Sequence, residues 1–184
     1  DRDDLKDGGS IIWAETVDAI RRANPKTTLE TLIPDFQGIN THLDRIISVS
    51  PEVVSHNMET VKRLTREVRI QAKYDRSLEV LDRLKKGGVK RTKTGIMLGL
   101  GETEEEILQT MDDLRENNVD ILTMGQYLQP TLNHLPVERY VTPEAFDKYR
   151  QWGLEKGFFE VVSGALVRSS YRAEQVLQKN NVGL

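Results

Sequence analysis

The fold is decided by one segment, Thr92-Lys93-Thr94-Gly95-Ile96-Met97-Leu98-Gly99-Leu100-Gly101-Glu102-Thr103, which runs into Glu104-Glu105-Glu106-Ile107-Leu108. The nearly continuous apolar run from Ile96 to Leu100 is typical of a strand that is covered on both faces in a parallel sheet. Thr103 and Glu106 have the spacing of a capping box, which predicts that a helix begins there. Gly99 and Gly101 lie between strand and helix, where α/β folds place their ligands. They either let a flat ligand touch the backbone or only form a tight turn, and the pattern leaves both interpretations open.

Outward from this segment, predicted strands and helices alternate along the chain. Helices are predicted at 10–23, with Ser10 as the cap, around 43–47, at 58–64, at 77–86, at 103–117 and from 142 onward. Strands are predicted at 27–33, 53–57, 121–124 and 159–162. This alternation implies right-handed crossovers and a parallel sheet. Because the sequence opens on a loop and a helix rather than a strand, we expect the later part of a partial (β/α) barrel in a single domain.

The composition argues against nucleic-acid and membrane partners. The 184 residues carry a net charge of -3, with 30% charged and 38% hydrophobic residues. Nucleic acid and anionic membranes attract basic surfaces, and a membrane span needs ~20 apolar residues in a row; the sequence offers neither. It also contains no cysteine. Disulfides, thiol nucleophiles and cysteine-held zinc or iron–sulfur sites are therefore excluded within these residues.

Polar side chains follow the predicted strands at the ends that would share one barrel mouth. They are Asp1, Arg2, Asp3, Asp4, Asp35, His56, Asn57, Glu59, Glu102, Gln126 and Tyr127. This mixed set suits a polar small molecule with amine, carboxylate and hydroxyl groups. Each residue alone also has an ordinary structural explanation, such as a turn or an acid near a helix start.

Several common kinds of site are not supported by the spacing. The three histidines lack a metal-binding pattern such as His-Glu-x-x-His, and the glycines match neither the Rossmann nor the P-loop pattern. Lys93 opens its strand, so it is predicted at the end opposite the mouth, which argues against a Schiff-base role.

A series of motifs, in a fixed order along nearly the whole chain, resembles the lipoyl synthases, a family of radical S-adenosylmethionine enzymes. The motifs are Asp1-Arg2-Asp3-Asp4-Leu5-x-Asp7-Gly8-Gly9, Leu32-Ile33-Pro34-Asp35-Phe36-x-Gly38, His56-Asn57-x-Glu59-Thr60, Tyr74-x-x-Ser77-Leu78, the segment from Thr92 to Thr103, Gly125-Gln126-Tyr127-Leu128-Gln129-Pro130, His134-Leu135-Pro136-Val137 and Arg168-Ser169-Ser170-Tyr171. The last is the most distinctive. The resemblance implies an α/β fold that is the later portion of a (β/α)6 TIM-type barrel, over about residues 1–130, with a C-terminal extension over about 131–184.

The resemblance also implies an activity. Lipoyl synthases insert two sulfur atoms into an octanoyl chain carried on a lysine of a lipoyl-carrier protein. One 4Fe–4S cluster cleaves S-adenosylmethionine reductively, and a second, auxiliary cluster is the sulfur source. The implied partners are a reducing system and an octanoylated carrier, either the glycine cleavage H protein or the E2 component of a 2-oxoacid dehydrogenase. A bacterial member would be cytoplasmic, although an organelle address upstream of these residues stays open.

Residue roles follow from the same resemblance. S-adenosylmethionine is expected to contact a set of residues in the first loop and at two strand ends: Asp1, Arg2, Asn57, Glu59, Gly95, Met97, Gly99, Gly101 and Glu102. Gln126, Tyr127 and Arg168 are expected on the substrate side. The auxiliary cluster of the family is held by three cysteines and a serine, and Ser170 is the predicted ligand rather than Ser169. A hard alkoxide binds iron less firmly than a thiolate, which suits a cluster that is dismantled.

The absence of cysteine is a large departure from this family. The family's cluster cysteines lie upstream of the matching motifs, so these residues offer only the serine, and we predict the C-terminal part of a lipoyl synthase that is inactive alone. Whether the protein itself is truncated, or its upstream half is only missing from this sequence, stays open. Three other interpretations also remain: a (β/α) barrel enzyme that binds a phosphate or sugar ester at its glycines, a non-catalytic barrel remnant, and a lipoyl synthase paralogue with another substrate.

Overall fold

A computed structural model describes residues 4–171, and within that range strands and helices alternate as the sequence predicts. The strands are β1 (Glu30–Leu32), β2 (Val53–Ser55), β3 (Arg91–Leu98), β4 (Ile121–Gln126) and β5 (Glu160–Ser163). The α-helices are α1 (Ser10–Ala23), α2 (Asn40–Ser48), α3 (Thr65–Val68), α4 (Tyr74–Lys86), α5 (Glu104–Glu116) and α6 (Pro143–Glu155). Short 3-10 turns lie at Phe36–Gly38 and Lys62–Leu64.

The strands form one parallel sheet in the order β1-β2-β3-β4-β5. Each strand pairs with the next along the chain, and the longest pairing runs from Lys93 opposite Ile121 to Leu98 opposite Gln126. Sequential order in a parallel sheet places every helix connection on the same side, which is the topology of a barrel wall. The prediction of an α/β fold with a parallel sheet is confirmed.

The segment that decides the fold forms as predicted. The side chains of β3 are buried on both faces except at Arg91 and Met97, which are partly buried. Thr103 accepts from the backbone N–H of Glu106, whose carboxylate accepts in return from the N–H of Thr103. Helix α5 then buries Ile107 and Leu114 against the sheet. Strand, turn and helix are therefore fixed by residues adjacent in sequence.

A main core and a smaller one cover the two ends of the sheet. The main core combines β3 and β4 with α5 and α6, and its largest buried side chains include Met111, Phe146 and Tyr149. The smaller core packs α2 and α4 against β2 and against Ile33, which directly follows β1. At the outer edge, β1 has no further strand beside it among the described residues.

The predicted helix at 58–64 is wrong. Glu59 instead forms a parallel bridge to Ile96, in which its N–H donates to the carbonyl of Gly95 at 2.9 Å and its carbonyl accepts from Met97 at 2.8 Å. Its backbone is left-handed, with φ of 66°. Pairing with β3 therefore prevents a helical conformation, and only Lys62–Leu64 makes a helical turn.

The first strand is shorter than predicted, and the first helix has a different cap residue from the one predicted. The strand predicted at 27–33 is limited to Glu30–Leu32. Ser10 was predicted to cap α1, but Gly9 is the cap residue and the carboxylate of Asp7 accepts from the N–H of Ile11 at 2.9 Å. Within residues 4–171, no helix is long and apolar enough to cross a membrane.

Candidate functional site

Two neighbouring cavities lie where the carboxyl ends of the strands meet. The larger has a volume of about 690 Å³ and is bordered by α1, the ends of β1 and β2, and the segment before α4. The smaller has a volume of about 190 Å³ and is bordered by β3, β4 and the segment 167–169. Asn57 and Glu59 line both cavities. A ligand with two chemically different halves can therefore occupy both while it contacts these two side chains.

Gly95 and Met97 line the smaller cavity. A Cβ atom on Gly95 would lie 2.7 Å from the hydroxyl of Thr123 and 3.2 Å from Oδ1 of Asn57. Glycine is therefore required where these side chains approach the backbone of β3. Oδ1 of Asn57 is buried and has no hydrogen-bond partner among the described residues. Because an unpaired buried acceptor is costly, this atom fits a ligand that donates a hydrogen bond.

The β3 exit, residues 99–103, is held by the carboxylate of Glu102. Its two oxygens accept from the backbone N–H groups of Gly99 at 2.8 Å and Leu100 at 2.9 Å. Arg139 donates to the same carboxylate at 3.3 Å. The side chain of Glu102 is fully buried. Glu102 therefore shapes the glycine turn through its bonds to backbone and Arg139, rather than facing the cavities.

Gly99 and Gly101 adopt φ values of 105° and 97°, which favour glycine. A Cβ atom on Gly99 would collide with Nε2 of Gln126 and lie 2.5 Å from the carbonyl oxygen of Arg139. The long connection after β4 thus packs directly on this turn. Neither Gly99 nor Gly101 lines the two cavities.

The β2 exit, residues 56–60, is held by a buried histidine. Nδ1 of His56 lies 3.1 Å from the carbonyl of Ile33, and Nε2 lies 2.9 Å from the hydroxyl of Ser77. A carbonyl can only accept, so Nδ1 carries the proton and Nε2 accepts from Ser77. Burial lowers the pKa of His56 to about 4, and the nearby guanidinium of Arg69 acts in the same direction. The ring is therefore neutral and joins β1, β2 and α4.

Gln126 and Tyr127, which were predicted on the substrate side, bond to the connection after β4. The amide of Gln126 donates to the carbonyls of Tyr127 and Arg139, and its oxygen accepts from the N–H of Val141. The hydroxyl of Tyr127 donates to the carbonyl of Leu135 at 2.8 Å. Gln126 still lines the smaller cavity. Both ends of its amide are nevertheless occupied, so it fixes the connection and presents its stem to the cavity.

The motif Arg168-Ser169-Ser170-Tyr171 forms a turn beside β4. Arg168 and Ser169 line the smaller cavity. Ser170 is exposed, and the N–H of Tyr171 donates to the carbonyl of Arg168 at 2.9 Å. A Cβ atom on Gly125 would collide with the carbonyl oxygen of Val167. Glycine in β4 therefore allows this turn to lie against the strand. Asp1 and Arg2 lie outside the described residues.

Comparison with known proteins places the chain in a family. The model of the radical SAM superfamily matches residues 1–114. The chain belongs to the radical SAM superfamily.

Similarity to individual proteins is high. The chain is 73% identical over 175 residues to a lipoyl synthase of Flavobacterium johnsoniae, which covers 95% of this chain and 61% of that protein. It is also 73% identical to a mitochondrial lipoyl synthase of Nematostella vectensis, over 95% of this chain and 60% of that protein. The chain thus spans about 60% of the length of these curated relatives.

One solved structure supports the fold. The crystal structure of methylornithine synthase (PylB) matches 93% of this chain and 61% of that chain, with a TM-score of 0.59 and 14% sequence identity. The five parallel strands of this chain are therefore a partial barrel of the radical SAM type.

The residues of this radical SAM chain do not fit an iron–sulfur cluster. Such clusters are held by cysteine thiolates, and the sequence contains no cysteine. The described part of the chain also contains no group of three His, Cys, Asp or Glu residues that could hold a metal ion. By contrast, the unpartnered Oδ1 of Asn57 and the side-chain-free backbone at Gly95 fit an adenosyl ligand.

Sequence reasoning missed two arginines at the mouth. Arg69 donates to the backbone of the β2 exit, and Arg139 bonds Glu102 at the β3 exit. Neither belongs to a spacing pattern that signals a site, and only the fold brings them there. Lys93 pairs with Glu30 at 2.7 Å near the start of β3, as its position in the strand predicts.

Proposed function

We propose that this chain is the part of a lipoyl synthase that binds S-adenosylmethionine and supplies the serine ligand of the auxiliary cluster. The observation that carries the proposal is 73% identity over 175 residues to a lipoyl synthase. Membership in the radical SAM superfamily argues against a phosphate-ester barrel enzyme. Sulfur insertion into a carrier-bound octanoyl chain is the proposed reaction of the whole enzyme.

The two cavities suggest how the cofactor binds. The adenosyl half would lie in the smaller cavity against Gly95 and Met97, and the methionine half would extend into the larger. Asn57 and Glu59 would contact the ribose where the two cavities meet, and Oδ1 of Asn57 would accept a hydrogen bond from a ribose hydroxyl. Asp1 and Arg2 remain proposed contacts of the first loop. Gly99, Gly101 and Glu102 would act by shaping the strand end.

Ser170 is the proposed serine ligand of the auxiliary cluster, and Arg168 would contact the octanoyl substrate beside it. The exposed position of Ser170 leaves its hydroxyl accessible to a cluster. All cysteine ligands would come from outside these residues, so we derive no chemical step through either 4Fe–4S cluster. When bound, S-adenosylmethionine would supply the hydrogen-abstraction chemistry, and the residues of this chain would hold and orient it. The proposed partners are a reducing system and an octanoylated H protein or E2 domain, and the proposed location is the bacterial cytoplasm.

A chimera tests this proposal. The 175 residues of this chain that align with the Flavobacterium johnsoniae lipoyl synthase would replace their counterparts in that protein, and the rest of that protein, with its cysteines, would be retained. We expect the reconstituted chimera to convert an octanoylated H protein to its lipoyl form, as measured by intact mass. Ser170→Ala in the chimera should abolish lipoyl product and preserve cleavage of S-adenosylmethionine, while Ser169→Ala should retain product.

Two results would contradict the proposal. A chimera that folds, carries both clusters and cleaves S-adenosylmethionine without making lipoyl product would exclude this sequence as part of a lipoyl synthase. Full activity of Ser170→Ala together with loss in Ser169→Ala would move the ligand to Ser169.

A further inference from the structure

The β2 exit, which carries two of the proposed ligand contacts, contains a backbone conformation that is unusual for a non-glycine residue. Glu59 is not glycine, yet its φ is 66°, a left-handed conformation that is strained for a residue with a side chain. Strain of this kind persists only where surrounding contacts fix it. Asn57 and Glu59 are also bonded to each other, since the amide of Asn57 donates to the Glu59 carboxylate at 3.1 Å. Something must therefore hold the segment that carries both side chains.

Arg69 is placed to do this. Its Nη1 donates to the carbonyl oxygens of Asn57 at 2.9 Å and Met58 at 3.3 Å. The same nitrogen lies 3.4 Å from the hydroxyl of Ser77, which bonds the buried His56. One guanidinium thus connects two successive carbonyls of the β2 exit to the start of α4.

The charge of Arg69 is not used in an ion pair. Among residues 4–171, no carboxylate lies within 4.0 Å of this guanidinium, whereas its neighbour Arg76 pairs with Asp35 at 3.2 Å. Burial lowers the pKa of Arg69, whereas the carboxylates of Glu59 and Asp35 act in the opposite direction from beyond ion-pair distance. Because no carboxylate contacts this partly buried cation, its hydrogen bonds to the backbone are its direct compensating contacts.

We infer that Arg69 is a positioning residue, which holds the β2 exit so that Asn57 and Glu59 face both cavities. The inference concerns the protein without a ligand. It rests on the proposed function only in that S-adenosylmethionine is taken as the ligand that Asn57 and Glu59 contact. Arginine suits this role because its planar fork holds two acceptors in fixed directions, whereas lysine places one ammonium on a flexible stem.

Amide hydrogen exchange of the purified chain tests the positioning role without any ligand. The reporters are the amides of Glu59 and Met97, which bond across the β2 exit to β3. The reference is the amide of Val119, which lies in the main core, away from the β2 exit, and bonds the carbonyl of Leu114 near the end of α5. In Arg69→Met, we expect exchange at the reporters to rise about tenfold or more relative to Val119, because a charge-assisted bond is lost. Arg69→Lys should give an intermediate increase.

Two controls separate positioning from general destabilisation. Arg66→Met removes an exposed arginine from α3, the short helix that ends just before Arg69, and should leave the exchange rates unchanged. Val80→Ala destabilises the smaller core and should accelerate reporters and reference together. If Arg69→Met accelerates all amides equally, or none, the inference is wrong. If Arg69→Met does not fold, Arg69→Lys and Arg69→Gln provide the same comparison.

Equilibrium dialysis with S-adenosylmethionine adds a functional readout. We expect Arg69→Met to weaken binding about tenfold, with partial rescue in Arg69→Lys and no change in Arg66→Met or Val80→Ala. If the unmodified chain binds no S-adenosylmethionine, the proposed binding function fails for this chain, while the exchange experiment still decides the role of Arg69. If wild-type binding occurs and Arg69→Met binds equally well, Arg69 does not position the ligand contacts.

Discussion

Two neighbouring strand ends of the same sheet are stabilised by different kinds of contact, one near in sequence and the other distant. The β3 exit uses glycine, with φ of 105° at Gly99, and a carboxylate only three residues away. The β2 exit places the non-glycine Glu59 at φ of 66° and relies on Arg69 and Ser77, which come ten or more residues later. One turn is therefore built by local sequence and the other by tertiary contacts.

The comparison shows which hydrogen bonds stabilise each strand exit. At the β3 exit, backbone N–H groups are satisfied by Glu102 inside the turn, so a change there breaks several contacts at once. At the β2 exit, the bonds are shared among Arg69, His56 and Ser77, and each contributes one part. We therefore expect single changes at the β3 exit to destabilise the protein more than single changes at the β2 exit.

The largest effect is expected for Gly99→Val. A side chain there combines a disfavoured φ of 105° with a collision against Gln126 and the carbonyl of Arg139. The backbone strain and the overpacking together should lower the free energy of unfolding by about 5 kcal/mol. Urea denaturation followed by circular dichroism measures the loss.

Gly88→Val is the matched control for Gly99→Val. Gly88 also has a left-handed φ, of 98°, but a Cβ atom there would meet nothing within 4 Å. It should therefore show only the backbone cost, about 1–2 kcal/mol. Equal losses in the two variants would show that the collision at the β3 exit is relieved by small shifts, and that the connection after β4 is not held against the turn.

Glu102→Ala should have the next largest effect. It leaves the N–H groups of Gly99 and Leu100 without their acceptor and removes the partner of Arg139. Removing one member of a buried charged network should cost about 4 kcal/mol. The exposed Glu105→Ala, in the first turn of α5, should change stability little. If Glu102→Ala lowers the free energy of unfolding less than Ser77→Ala does, the expected order of the two exits would be reversed.

His56 gives the β2 exit a pH dependence. Burial lowers its pKa from 6.5 to about 4, with Arg69 and Arg76 acting in the same direction and Asp35 opposing them. At a pH between these two pKa values, the histidine binds a proton in the unfolded chain but not in the folded chain. Stability should therefore fall as the pH drops from 6.5 towards 4, by up to about 3 kcal/mol, and this contribution is constant above pH 6.5.

The test compares the wild type with His56→Gln. Acid also protonates carboxylates, so the difference between the two pH profiles isolates the histidine. Chemical denaturation between pH 4 and 8 should show a steeper fall for the wild type. Parallel profiles would mean that the ring accepts a proton in the folded protein and that its bond to Ile33 or Ser77 is weaker than the geometry indicates.

The same contrast explains what the sequence could predict. The strand, glycine turn and capping box from Thr92 to Glu106 carry their signals within fifteen consecutive residues, and all three are confirmed. By contrast, the predicted helix at 58–64 is wrong, although Met58, Val61 and Leu64 are all buried. Their spacing resembles a helical face, but Met58 packs in the main core, while Val61 and Leu64 belong to a separate cluster. Pairing with β3 decides the backbone, and that contact has no local signature.

The candidate site shows the same limit. Asn57, Glu59, Gly95 and Met97 were predicted from strand ends and motifs, and the structure brings them to the two cavities. Their roles towards S-adenosylmethionine stay predictions. Gln126 and Tyr127 sit at the predicted strand end, yet their polar atoms bond the connection 135–141. A strand-end position identifies which residues are near the mouth, but the direction of their hydrogen bonds depends on how the following connection folds back.

Ser77→Ala should have the smallest effect. It removes the hydroxyl that donates to Nε2 of His56 at 2.9 Å and leaves that nitrogen buried without its partner. Loss of this neutral hydrogen bond and of the long 3.4 Å contact from Arg69 should cost about 1–2 kcal/mol, because Ile33 still holds the ring and Arg69 still bonds the strand end. Urea denaturation at pH 7.5 measures the loss, and nitrogen-15 NMR of the ring reports whether the proton stays on Nδ1. The exposed Ser48→Ala, which removes a hydroxyl bond within α2, is the control and should change stability less. A loss as large as that of Glu102→Ala would show that the β2 exit also depends on a single contact, and the contrast between shared and concentrated support would then no longer hold.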